Sequence, residues 1–193
     1  MRVIAGSLGG RRLSAPRGQE RTRPTSDRVR EALFATLGEI EDASVLDLFA
    51  GTGALGIEAL SRGASSALFV ERDRAALQVL RENLEALELL APRARVRAGE
   101  ALAALRAARR RGETYDLVFL DPPYGQAGEL EGPLSATLPA ILEPAARVVV
   151  ESDRRSPLVL EPLAPLREKR YGDTLITIYS HQVPSGIEQE PRA

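Results

Sequence analysis

The chain has no cysteine and a single histidine among its 193 residues. Without cysteine there are no disulfides, no zinc–thiolate centre and no thiol nucleophile, and a reducing cytoplasmic setting is expected. His181 follows the last apolar segment and is expected to be exposed rather than catalytic. With no histidine–carboxylate cluster, no metal site is expected. Long hydrophobic runs are missing too. Nothing approaches the roughly 18 apolar residues of a membrane span. The opening MRVIAGSLGGRR lacks the apolar stretch of a secretory leader. Neither an internal repeat nor a long linker is present, so one domain with a small appendage is expected, with monomer as the default state.

What is present is an ordinary globular content of apolar residues, 44%, and a net charge of −1 that hides an asymmetry. Residues 1–30 hold eight arginines against Glu20 and Asp27, a net of +6, which leaves −7 for the rest. Alanine, leucine and arginine are favoured throughout, yet that bias does not explain arginines gathered at one end. A basic, glycine-containing arm on an acidic body suits a polyanion, most simply nucleic acid.

The segments VIAG and RRLSAP flank Gly9-Gly10 and are read as two short strands of a hairpin. SDRVREALFATLG follows, with Ser26 as a cap, Val29, Leu33, Phe34 and Leu37 as an apolar stripe and Gly38 as the stop. From residue 45 strands and helices alternate. VLDLFA, ALFVE, RVRAG, YDLVFLD and RVVVES are the strands, with RVRAG near an edge. Helices are expected from Ala54 to Arg62, after the cap Asp73, from Glu100 to Arg111, and around Leu130–Leu142. This rhythm predicts an α/β fold: a doubly wound, Rossmann-like parallel sheet covered on both faces. REKRYGDTLITIYS breaks it, reading as two strands around Gly172-Asp173 that add an antiparallel hairpin at one edge. Residues 182–193 are expected to be a disordered tail.

Within DLFAGTGALGIEAL, Gly51, Gly53 and Gly56 spell G-x-G-x-x-G between a strand and a helix, the setting of a nucleotide-binding loop. Gly51 and Gly53 permit close backbone approach to a ligand. Glu71, twenty residues after Gly51, ends the next strand, where a carboxylate accepts both hydroxyls of a ribose. A dinucleotide fits that far. Asp47, four residues before Gly51, repels a pyrophosphate and suits a cationic ligand such as the amino acid end of S-adenosylmethionine. Its bland role is to tie down loop amides.

FLDPPYG, at the end of the fourth strand, belongs in the same cleft if that strand lies beside the first. Pro122 and Pro123 stiffen the turn. The Asp121 carboxylate and the Pro122 carbonyl make two acceptors, the set an exocyclic NH₂ requires. Fixing both N–H directions points the amine lone pair at an electrophile. Tyr124 offers a face for stacking a base, which must be unpaired or flipped out. The alternative is a plain strand-ending turn.

DLFAGTGALGIEAL with DPPY downstream resembles the S-adenosylmethionine-dependent amino-methyltransferases. MRVIAGSLGGRRL, RPTSDRVREALF, VLDLFAGTGALGIEALSRGA, FLDPPYG and KRYGDTLITIY together resemble the bacterial 16S ribosomal RNA guanine-N2 methyltransferases of the RsmD type, from Met1 to about Tyr179. The resemblance implies a seven-stranded methyltransferase sheet and methyl transfer to N2 of a guanine in 16S rRNA, free or within a small subunit or assembly intermediate. It divides the chain into a basic RNA-contacting arm (1–24), a methyltransferase domain (25–181) and the tail (182–193). It places Asp47, Gly51, Gly53 and Glu71 on the cofactor and Asp121–Tyr124 on the catalytic turn. After the third strand such enzymes usually carry aspartate near the adenine amine; here it is Glu100, followed by Ala101.

Arg11 and Arg12 are expected at a projecting hairpin tip gripping RNA phosphates, with Arg23, Thr25 and Arg30 as further contacts at the first helix. Arg23 and Thr25 have an alternative place over the cofactor. Three rival readings remain. A DNA adenine-N6 methyltransferase shares the turn, but the chain leaves little room for a target-recognition domain. An NAD-dependent oxidoreductase leaves the Asp-Pro-Pro-Tyr turn unexplained. A non-catalytic RNA-binding protein would retain the fold alone.

Overall fold

A computed structural model describes residues 1–15, 27–89, 91–123 and 125–181. Arg23, Thr25, Tyr124, the expected Ser26 cap and the expected tail lie outside the described residues.

Helix α1 (Asp27–Leu37) comes first. There follow β1 (Ser44–Asp47), α2 (Ala54–Ser61), β2 (Ser66–Glu71), α3 (Arg74–Ala86), β3 (Ala94–Ala98), α4 (Ala101–Arg111), β4 (Tyr115–Leu120), α5 (Ala127–Thr137), β5 (Leu142–Asp153), β6 (Ala164–Tyr171) and β7 (Thr174–Ser180). The seven strands form one sheet in the order β3-β2-β1-β4-β5-β7-β6. The first five are parallel, and β7 runs antiparallel to both β5 and β6. The strand order reverses between β1 and β4, which leaves a crevice at their carboxyl ends.

Two apolar layers sandwich the sheet, and the period of two along each strand sends alternate side chains into each. Val45, Leu117, Phe119 and Val149 point to the layer under α1, α2 and α3, with Leu33, Phe34, Leu60 and Leu80. Leu46, Val118, Leu120, Val148 and Val150 point to the layer under α4 and α5, with Leu105, Leu134 and Ile141. Each fully buried side chain of this size contributes about 1.5–3 kcal/mol relative to exposure.

Local signals account for the helix ends. Asp73 accepts the Ala76 amide at 2.8 Å and starts α3. Gly112, at φ 63°, closes α4 behind Arg109, Arg110 and Arg111. Glu100 precedes α4, but its side chain makes no capping bond.

Several expected bounds shift. β1 ends at Asp47, and beyond it the Leu48 and Ala50 amides still bond the carbonyls of Phe119 and Val70 on the neighbouring strands. The helix expected around Leu130–Leu142 is α5 followed by a 3₁₀ turn, Leu138–Ile141, containing Pro139. β5 is longer than RVVVES.

The N-terminal stretch pairs with itself through one antiparallel bridge, Arg2 with Arg12, instead of two regular strands. Its turn does not project. Ile4 and Ala5 donate their amides to the fully buried Glu58 carboxylate at 2.7 and 3.1 Å. Ser7 donates to the Ser61 carbonyl at 2.7 Å. A Cβ on Gly6 would lie 1.9 Å from that same carbonyl oxygen, so only glycine allows this approach. Val3 and Leu13 are buried in the core.

Candidate active site

Four parallel strands each end an apolar run on a carboxylate: Asp47 on β1, Glu71 on β2, Asp121 just after β4 and Glu151 near the end of β5. All four line one cavity of about 610 Å³ at the carboxyl end of the sheet. Leu48, Leu55 and Val70 give it apolar walls. Adjacency follows from register. Leu120 lies opposite Val150, which brings Asp121 beside Glu151. β1 pairs with both β2 and β4, which puts Asp47 between Glu71 and Asp121.

Gly51, Asp121, Pro122 and Pro123 therefore share a cavity, as the doubly wound topology predicts. Gly51 has φ 53°, and a Cβ there would meet no atom within 4 Å, so its backbone faces open cavity. Its amide donates to Glu71 Oε2 at 2.8 Å. Glu71 Oε1 accepts the amides of Arg72 and Asp73 at 2.7 and 2.8 Å. The Glu71 carboxylate is thus held rigidly beside the loop.

Asp47 is 2% exposed, and its Oδ2 accepts the Gly56 amide at 3.1 Å. It both ties down the loop and faces the cavity. Burial, reinforced by the Glu71 charge, raises its pKa to about 7. Asp121 titrates well above the ordinary carboxylate range, first through burial and then through the charges of Glu151 and Asp47. Pro123 accepts the Gln126 amide at 3.2 Å, which folds the turn into α5. A smaller cavity, lined by Asp121, Pro122, Pro123, Glu151 and Ser152, continues beside the turn.

Glu100 and Ala101 also line the main cavity. Ala101 is buried. The Glu100 carboxylate is 65% exposed and pairs with Arg72 at 3.3 Å.

Two expectations require correction. Gly53 is not part of the cavity wall: a Cβ there would lie 2.5 Å from Leu80 Cδ1, so this glycine serves the packing of the loop against α3. Arg30 is not on a solvent face. Its side chain is fully buried and lines the cavity, because Nη2 is drawn inward to the Arg2 carbonyl at 2.6 Å and Asp27 at 2.7 Å. Arg11 and Arg12 are exposed outside the cavity, and Arg11 Nη2 donates to the Ala86 carbonyl at 2.8 Å. His181 is half-buried, with Nδ1 3.2 Å from the Glu143 carbonyl.

Sequence reasoning missed Glu151 and the inward place of Arg30. The signal for Glu151 was present: VVVE ends on an acid just as VLD, FVE and FLD do. Arg30 gave none, since an arginine in a basic cluster reads as solvated.

A seven-stranded sheet with an antiparallel β7, and a glycine loop sharing its cavity with an Asp-Pro-Pro turn, define the class: an α/β methyltransferase. Residues 1–180 match the profile of the family described as Conserved hypothetical protein 95. The ribosomal RNA small subunit methyltransferase D of Escherichia coli (strain K12) is 38% identical over 190 residues, spanning 94% of this chain and 90% of that protein. A Bacillus subtilis (strain 168) protein, YlbH, described provisionally as an rRNA methyltransferase, is 43% identical over 187 residues, spanning 93% and 98%. The solved structure of yhhF from Escherichia coli, described provisionally as a methyltransferase, superposes with a TM-score of 0.80 at 40% identity, covering 94% of this chain and 98% of that one. This chain belongs to the RsmD-type methyltransferase family.

Proposed function

We propose that the protein transfers a methyl group from S-adenosylmethionine to the exocyclic N2 amine of a guanine in small-subunit ribosomal RNA. The observation that carries this reading is the shared cavity of Gly51 and the Asp121–Pro123 turn. The cavity fits the cofactor's chemistry. Its acidic strand ends favour a ligand bearing positive charge and oppose a pyrophosphate. The open face of Gly51 admits a close-lying ligand.

When bound, S-adenosylmethionine supplies an electrophilic methyl group on a sulfonium. The chain does the rest. Glu71, oriented by three backbone amides, accepts the ribose hydroxyls. Ala101 and Glu100 border the adenine, and Asp47 faces the ammonium. The Asp121 carboxylate and the Pro122 carbonyl accept the two N–H bonds of the target amine and aim its lone pair. Tyr124 stacks on the base. Once the nitrogen is methylated, its surplus proton passes to Asp121 or water. Arg11 and Arg12, exposed outside the cavity, hold RNA phosphates, with Arg23 and Thr25 as further contacts.

The test supplies labelled S-adenosylmethionine with small subunits from a strain lacking this protein, naked 16S rRNA and duplex DNA, and identifies the product nucleoside. N2-methylguanosine in 16S rRNA is expected. N6-methyladenine in DNA, or no transfer to any substrate, would overturn the reading. Asp121→Asn should retain S-adenosylhomocysteine binding and lower kcat by about 10²–10³, the usual cost of one oriented polar group at a reacting centre.

A further inference from the structure

Arg30 is a fully buried cation among the acids of the cavity wall, which the half-exposed Arg72 also lines, there paired with Glu100. Arg30 sits in the first turn of α1, its side chain fully buried, and it is one of the residues that line the cavity. Nη2 is used twice, toward the Arg2 carbonyl and Asp27. Nε and Nη1 are buried and have no hydrogen-bond partner among the described residues. Buried N–H groups of a charged fork are costly when unpaired, and few are left that way in folded proteins. The two ties on Nη2 hold the fork in place while leaving its other donors for a ligand.

The cavity itself specifies the ligand group. Arg30 shares it with Asp47, Asp121 and Glu151, so an anion alone would meet net repulsion there. A zwitterion would not: its cationic end faces the acids and its anionic end faces the arginine. Complete burial also sets Arg30 against the phosphate of a bulky polymer and in favour of a small group enclosed with it.

We propose that Arg30 holds the α-carboxylate at the amino acid end of the cofactor, through the donors on Nε and Nη1. This deepens the S-adenosylmethionine reading and rests on it. Arg30 is then a specificity residue that separates an adenosyl ligand carrying an α-amino acid from one that does not. Planar guanidinium–carboxylate pairing makes arginine and lysine unequal at such a position.

The test is calorimetric and needs no turnover. S-adenosylhomocysteine, its decarboxylated analogue and 5′-methylthioadenosine are titrated into the full chain, into Arg30→Gln and into Arg30→Lys. The wild-type chain should prefer S-adenosylhomocysteine over the decarboxylated analogue by about 10- to 100-fold, as expected for losing hydrogen bonds to a charged group. Arg30→Gln should lose that preference while binding methylthioadenosine as the wild type does, and Arg30→Lys should fall between. Equal weakening of all three ligands in a folded Arg30→Gln, or no weakening of any, would overturn the proposal. If Arg30→Gln does not fold, the wild-type comparison decides: equal affinity for S-adenosylhomocysteine and its decarboxylated form refutes it. A wild-type chain that binds none of the three refutes the cofactor reading itself, a result distinct from the others.

Discussion

Asp47 meets two demands. Its Oδ2 holds the Gly56 amide, and its position at the end of β1 turns the carboxyl toward the cavity. Burial and the nearby Glu71 raise its pKa from 3.8 to about 7. Between those values the folded chain keeps a proton that the unfolded chain has released. The native state binds more protons there, so stability is fullest below the lower value and declines as pH rises toward the upper one. The slope from this group reaches about 1.4 kcal/mol per pH unit. In Asp47→Asn this contribution should vanish, which thermal unfolding of both proteins across about pH 4–8 will show as a flatter curve for the variant. Ligand binding has the opposite sign. A cationic ligand end favours the ionised carboxylate, so S-adenosylhomocysteine affinity should rise from about pH 6 to about pH 8 with proton release. Titration calorimetry in two buffers of unlike ionisation enthalpy measures that release directly, and Asp47→Asn should abolish it.

The N-terminal stretch, the glycine loop and α3 meet at Asn83. Its side-chain carbonyl accepts the Ser14 amide at 2.7 Å, and its amide donates to the carbonyls of Ser14 and Thr52. One buried side chain thereby joins the segment that follows the N-terminal pairing to a loop lining the cavity. Asn83→Ala leaves those groups unmatched and should cost about 1–3 kcal/mol. Thermal unfolding will register the drop in stability, hydrogen exchange at Ser14 should accelerate, and S-adenosylhomocysteine binding should weaken as Thr52 loses its anchor. Elements such as β2, β4 and α3 were legible in the sequence because apolar spacing and capping residues act over a few positions. The docking of residues 4–8 on α2 was not. It depends on Glu58 and Ser61, some 53 positions away, which read as ordinary polar residues of a short helix.

Across the whole molecule, charge is divided. Acids gather at the carboxyl end of the sheet, and Arg11 and Arg12 lie outside the cavity on the N-terminal stretch. If these arginines neutralise phosphates, replacing both with alanine should weaken RNA binding and lower the slope of log affinity against log salt by about 1.4, since each single-strand phosphate left without its cation takes away roughly 0.7. Binding measured over a range of salt decides this, and an unchanged slope would remove both from the RNA surface. Arg30→Gln, whose side chain is enclosed, should leave that slope as it is.

The sequence by itself determined the alternation of strands and helices, the antiparallel edge hairpin, and the meeting of the Gly51 loop with the Asp121 turn. Those features follow from periodicity, capping chemistry and the topological rule for parallel sheets, all of which act locally or through strand order. Only the tertiary structure decided which glycine faces the cavity, that Glu151 stands beside Asp121, and that Arg30 points inward. Each of those depends on packing between residues distant in the chain, where burial and desolvation outweigh the identity of the residue alone.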